Sequence, residues 1–136
     1  MAESILTQYK VPTAMDGDDQ ILLTGQEDGV VKLYDLRESS GGGARRYRVA
    51  AQYSGHTRSI SRVQQNPVVE HVFITAGLDG LIKLWDKRNN AECLFTLKRK
   101  DTGCEDVKLF GACWNGASQV LSGGSDSHIS SHEIQS

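Results

Sequence analysis

His56, Thr75 and Asp79 are the residues of this 136-residue chain whose types come nearest to a catalytic set: an imidazole, a hydroxyl and a carboxylate, the groups of a base, a nucleophile and an acid. No nucleophile elbow and no glycine-rich phosphate loop accompanies them. Their spacing has a different source. Thr75 stands four positions before Asp79, and Trp85 six positions after it. The same order of hydroxyl, Asp and ring returns at Thr24, Asp28 and Tyr34, and again at Ser122, Asp126 and His132. Spacing set by a repeat belongs to architecture, so no catalytic residues are assigned and the chain is read as a non-enzyme.

Two other groups have the residue types for chemistry. His128 and His132 fall at positions i and i+4, on one face of a strand, but without a nearby Cys or a third ligand they make a poor zinc site. No metal or cofactor is therefore expected. "ARRYR" (44–48) and "LKRKD" (97–101) are basic, and Arg45, Arg46 and Arg48 are candidate contacts for RNA phosphates, with Tyr47 placed to stack a base. The plainer reading of both segments is a solvated hairpin end. Cys93, Cys104 and Cys113 are odd in number and have no C-x-x-C spacing, which argues for reduced thiols rather than a disulfide framework or a zinc ribbon.

The elements that must position these residues follow from the repeat. "LLTGQEDGVVKLYD" (22–35), "FITAGLDGLIKLWD" (73–86) and "VLSGGSDSHISSHE" (120–133) align without gaps, their turn aspartates 51 and then 47 residues apart. Asp28-Gly29 and Asp79-Gly80 are two-residue hairpin signals, because such turns need positive φ. The flanking runs have strand length and are apolar on both faces, as in a sheet stacked between two others. "SSGGGARR" (39–46) reads as a hairpin tip. Composition agrees with an all-β domain rich in tight turns: 38% apolar, 24% charged, 14 Gly and 2 Pro. A net charge of −2 gives no general attraction to nucleic acid or acidic membranes, and no apolar run approaches the ~20 residues of a spanning helix.

The chain resembles the WD-repeat β-propellers. The middle repeat carries the fullest pattern: Gly55-His56, "SISRVQQNP", "HVFITAGLDG", then Leu84-Trp85-Asp86. The resemblance implies an all-β partial propeller of about three four-stranded blades, near 1–53, 54–97 and 98–136. It also implies that His56, Thr75, Asp79 and Trp85 form a buried hydrogen-bonded chain that ties one blade together. Such a chain leaves no buried polar group unpaired. The first repeat departs from the pattern with Tyr34 for Trp and no Gly-His, "SILTQYKVP" (4–12) reading as its innermost strand. The third has Glu105 or Asp106 near the His position and His132-Glu133 for Trp-Asp, so its chain of hydrogen bonds is expected to be incomplete. Trp114, in "FGACWNG", is expected in the core.

Propellers close with about four to eight blades, which removes exposed sheet edges. Three blades therefore imply further blades: the chain is expected to be the C-terminal part of a longer, seven-bladed propeller, or to be completed by a second chain. The last blade's outermost strand is expected from the missing N-terminal part. The order of the last two repeats is similar to the C-terminal blades of the WD-repeat subunit of the Pescadillo–Bop ribosome-biogenesis complex. The similarity rests on Ala76, Leu78, Asp79, Ile82 to Asp86 and Arg88, then Leu121 to Gly124 and Asp126. It implies a nucleolar scaffold in large-subunit assembly that docks a Bop-like propeller protein and Pescadillo. Partner contacts would use the rim beside the Asp turns, where Glu27, Arg58 and Leu78 are the candidates. A general WD-repeat adaptor (of a ubiquitin ligase, of chromatin or of an import receptor) and a direct RNA-binding propeller are the alternatives.

Overall fold

The computed structural model describes residues 11–36, 48–98 and 107–134. Eleven strands follow one another: β1 (Pro12–Gly17), β2 (Ile21–Gln26), β3 (Val30–Asp35), β4 (Arg48–Ser54), β5 (Ile60–Gln65), β6 (Val72–Gly77), β7 (Leu81–Asp86), β8 (Phe95–Lys98), β9 (Leu109–Asn115), β10 (Gln119–Gly124) and β11 (Ile129–Glu133). They form three antiparallel meanders, β1-β2-β3-β4, β5-β6-β7-β8 and, among the described residues, the three-stranded β9-β10-β11. The segments expected at 39–46 and at Glu105 or Asp106 lie outside the described residues.

The central hairpins of the first two sheets turn at the legible Asp28-Gly29 and Asp79-Gly80, and that of the third at Asp126-Ser127. Gly29 and Gly80 have φ of +85° and +83°, where L side chains are strained. A side chain there would also collide: a Cβ would lie 2.3 Å from the carbonyl oxygen of His56 at Gly29, and 2.6 Å from that of Val107 at Gly80. The turn of each of the first two sheets thus packs on the loop that leads into the next sheet. The innermost strand of the first sheet differs from expectation. The strand observed there, Pro12–Gly17, follows the segment expected at 4–12, of which 4–10 lie outside the described residues, and it ends where Asp18 closes the turn into β2. The Asp18 N–H donates to the Ile21 carbonyl, and its Oδ1 accepts from the Gln20 and Ile21 N–H groups.

The middle sheet is buried on both faces, which explains its unbroken apolar runs. One face, with Ile60, Val63, Phe73 and Trp85, packs on Leu23, Val31, Leu33 and Tyr53 of the first sheet. The other, with Ile74, Ala76, Ile82 and Leu84, packs on Leu109, Ala112, Trp114 and Val120 of the third. Tyr53 meets Phe73 and Trp85 edge-on, with ring centroids 5.0 and 5.5 Å apart, while Phe73 and Trp85 stack at 6.3 Å. Such ring geometries add about 0.5–1.5 kcal/mol per pair beyond burial. Small residues set the spacing: a Cβ on Gly25 would come within 2.4 Å of Ile60 Cγ2.

Candidate functional site: a buried relay and the rims it supports

The middle sheet brings His56, Thr75, Asp79 and Trp85 into one hydrogen-bonded chain. Trp85 Nε1 lies 2.9 Å from Thr75 Oγ1, Thr75 Oγ1 lies 2.7 Å from His56 Nε2, and His56 Nδ1 lies 3.0 Å from Asp79 Oδ2. Donor counting gives the chain a direction. The indole N–H can only donate, so the Thr75 oxygen accepts it. The Thr75 hydroxyl then gives its proton to His56 Nε2, which leaves the His56 Nδ1–H for the Asp79 carboxylate. His56 is accordingly the neutral Nδ1–H tautomer. Burial lowers its pKa below the usual value of 6.5, although the Asp79 carboxylate pulls the other way. Asp79 further accepts from the Thr57 and Leu81 N–H groups, which ties the loop after Gly55 to the hairpin turn. The order of hydroxyl, imidazole and carboxylate is that of a hydrolase triad, but the Thr75 hydroxyl is fully buried and accepts the Trp85 N–H, so it faces no substrate.

Room for this relay comes from Gly77, where a Cβ would stand 2.7 Å from both His56 Nδ1 and Asp79 Oδ1. The first sheet has Gln26 at that repeat position, with Tyr34 in place of Trp85. Thr24 Oγ1 and Gln26 Nε2 are buried there without hydrogen-bond partners. Burial raises the pKa of the Tyr34 phenol, an effect the nearby Thr24 hydroxyl opposes. In the third sheet the link is partly rebuilt: His132 Nε2 lies 3.2 Å from Ser122 Oγ, where the indole would have been, and Asp126 is buried. The two histidines do not share a strand face. His128 sits ahead of β11, in the turn, with its Nδ1 2.7 Å from the Asp126 carbonyl oxygen, because the turn residue Ser127 takes a φ of 62°. Among the described residues no group of three or more His, Cys, Asp or Glu is placed to hold a metal.

Polar bonds that the repeat did not reveal lock the sheets to one another. The Gln65 N–H donates to Asp16 Oδ2 at 2.7 Å, and one sheet on, the Trp114 N–H donates to Gln64 Oε1 at 2.9 Å. Asp16 and Gln64 hold the same place near the end of the first strand of their sheets. That shared place was the only signal in the sequence. Trp114 also donates its indole N–H to the Gln64 carbonyl and is 8% exposed, a core residue that doubles as a clamp.

Of the rim candidates, Glu27 and Arg58 are exposed and Leu78 is half-buried. All three sit on the loops at the end of the stack that carries the Asp turns. Glu27 pairs with Val11 through its backbone, and the Leu78 N–H donates to the Ser59 carbonyl. Arg45 and Arg46 lie outside the described residues, and Arg48 is placed by its backbone alone, at the start of β4.

Residues 48–86 match the family model of the WD domain, G-beta repeat. Over 109 residues the chain is 29% identical to ribosome biogenesis protein YTM1 of Lodderomyces elongisporus, covering 80% of this chain and 22% of that protein. It is 30% identical to the ribosome biogenesis protein WDR12 homolog of Culex quinquefasciatus, covering 80% and 23%. YTM1 of Candida albicans is 26% identical over 126 residues, covering 93% and 25%. The chain thus spans about a quarter of the length of these curated relatives. Among solved structures, the WD40 domain of Toxoplasma gondii coronin superposes with a TM-score of 0.78 at 18% identity, over 90% of this chain and 31% of that one. The computationally designed Ika8 protein superposes at 0.75 and 18%, over 96% and 36%. With its three meanders stacked face to face and its superposition on a WD40 domain, the chain has the fold of a stretch of WD40 β-propeller, carries a WD repeat at 48–86, and resembles in sequence the YTM1 and WDR12 ribosome biogenesis proteins.

Proposed function

We propose that the chain forms three consecutive blades, near 1–53, 54–97 and 98–136, of a larger propeller that works as a non-catalytic protein scaffold in large ribosomal subunit assembly. The observation that carries this reading is the similarity to ribosome biogenesis proteins across four-fifths of the chain. The stack itself supports the larger propeller. Val31, Ile82 and Ile129 occupy one repeat position; the first two are fully buried against the next sheet, whereas Ile129 is 86% exposed. Around it, Phe110, Cys113 and Leu121 line an open cavity of about 560 Å³ over Gly111 and Gly123. A further sheet laid on that face would cover it as the third sheet covers Ile82.

On this reading His56, Thr75, Asp79 and Trp85 hold a blade rigid so that its rims present fixed loops, Glu27, Arg58 and Leu78 among them, to a Bop-like propeller and Pescadillo in the nucleolus. Contact with rRNA through Arg45, Arg46 and Arg48 is secondary. Depleting the protein and following precursor particles on gradients tests the role. Large-subunit precursors should fall while small-subunit output holds, and re-expression of the parent protein should restore them. Unchanged large-subunit precursors would reject it.

A further inference from the structure

A groove of about 590 Å³ opens at the end of the stack away from the Asp turns, between the first two sheets. Asp18, Ile21, Pro67, Val68, Glu70 and Lys87 line most of it. Val68 stands out because it is 71% exposed and yet held in a loop with no slack. Asn66, 7% exposed, accepts the N–H groups of Val68 and Val69 on Oδ1 at 2.8 Å each and donates to the Ala117 carbonyl at 3.0 Å. The Val72 N–H closes the same loop on the Val69 carbonyl. On the facing side Asp18 is pinned by two backbone N–H groups, which hold its carboxyl below the usual carboxylate range and keep it charged. An aliphatic side chain presented to water by a loop whose backbone is pinned on both sides of it has much of its ordering cost met before any partner arrives.

The charges say what kind of partner. Lys87 is half-buried at the floor, its ammonium committed to Gln65 Oε1 and the Glu70 carbonyl. Asp16, Asp18 and Glu70 all act on it electrostatically, so three carboxylates face one ammonium. The neighbouring Arg88 guanidinium adds no net charge, because both of its bonds go to Asp86, at 3.0 and 2.8 Å. We propose that this groove docks an extended protein segment in which Lys or Arg alternates with aliphatic residues, the aliphatic side chain seating on Val68 and Pro67 and the cations meeting Asp18 and Glu70. Phosphate backbones would meet the same carboxylates, with Lys87 and Arg88 already bonded within the protein, so a cationic protein segment suits the groove better than RNA.

The test uses the complete protein and a short fluorescein-labelled peptide of alternating Arg and Leu, with its Glu–Leu counterpart as control, read by fluorescence anisotropy. The Arg–Leu peptide should bind and the Glu–Leu peptide should not. Val68→Ser should weaken binding about tenfold, the effect of losing one aliphatic anchor. The double change Asp18→Asn and Glu70→Gln should do the same, while Glu133→Gln on the exposed third sheet should leave affinity unchanged. Thermal melting of each variant separates lost binding from lost folding. Three results would overturn the proposal: no binding, equal loss from Glu133→Gln, or an indifferent Val68→Ser. A photo-crosslinker at position 68 in cells supplies a second reading. Capture of basic, aliphatic-rich protein segments supports the groove, and capture of acidic segments or RNA rejects it.

Discussion

Thr75→Val tests the relay most sharply, because it keeps the shape and deletes only the oxygen shared by Trp85 and His56. Two groups lose their partner: the Trp85 N–H, in a residue 1% exposed, and His56 Nε2, in a residue 7% exposed. Each buried orphan costs about 1–3 kcal/mol, roughly 4 kcal/mol together, offset by about 1 kcal/mol because the hydroxyl is no longer buried. The net loss of about 3 kcal/mol, with a urea slope of about 2 kcal/mol per molar, moves the midpoint down by about 1.5 M. Thr24→Val is the internal control. Thr24 is 3% exposed and its oxygen serves neither an indole nor an imidazole, standing only beside the Tyr34 phenol, so the same change there should cost no more than about 1 kcal/mol. Equilibrium urea unfolding of both variants, followed by tryptophan fluorescence, decides it. Equal effects at the two positions, or a Thr75→Val midpoint within error of the parent, would refute the relay as a stabilising unit.

Three further outcomes follow from the same geometry. Native His56 binds its proton more weakly than the unfolded chain does, so stability is full above pH 6.5 and declines as pH falls from 6.5 toward the lowered native value; urea midpoints across this range check the sign, and nitrogen NMR at neutral pH should show the Nδ1–H tautomer. Gly77→Ala drives a methyl into His56 and Asp79 and should cost about 2 kcal/mol or more in thermal or urea unfolding, although alanine is the commoner strand residue. Gln64→Leu leaves the Trp114 N–H without its acceptor; hydrogen exchange at that amide should speed up about tenfold, consistent with a local loss of about 1–2 kcal/mol, while the core of the first sheet keeps its protection.

What the sequence could show was whatever recurs. Asp28-Gly29 and Asp79-Gly80 marked the hairpins because few residues tolerate positive φ, and runs such as "FITA" marked a doubly buried sheet because Phe73 and Ile74 face different cores. His56 was visible as a partner of Thr75 and Asp79 only through the resemblance, since it lies on a different element and no local rule links them. The exchange of Gly77 for Gln26 was not legible, because it is a packing choice tied to whether an imidazole fills the space beside it. Nor was the pairing of His132 with Ser122: in the repeat it reads as a lost tryptophan, whereas in the sheet its Nε2 meets the serine hydroxyl. The bonds from Gln65 to Asp16 and from Trp114 to Gln64 cross between sheets, and contacts of that kind leave no periodic trace. The placement of β1 turned on the Asp18 turn, a single-residue effect that the apolar look of 4–12 outweighed.

The measurement that bears most directly on the scaffold reading is recovery of the complete protein from gently lysed cells, with RNase-treated and untreated halves compared. The account predicts that a second propeller protein and large-subunit assembly factors stay bound after RNase. Their loss with the RNA, or their absence beside a different stable partner, would contradict it and leave the propeller without the ribosome.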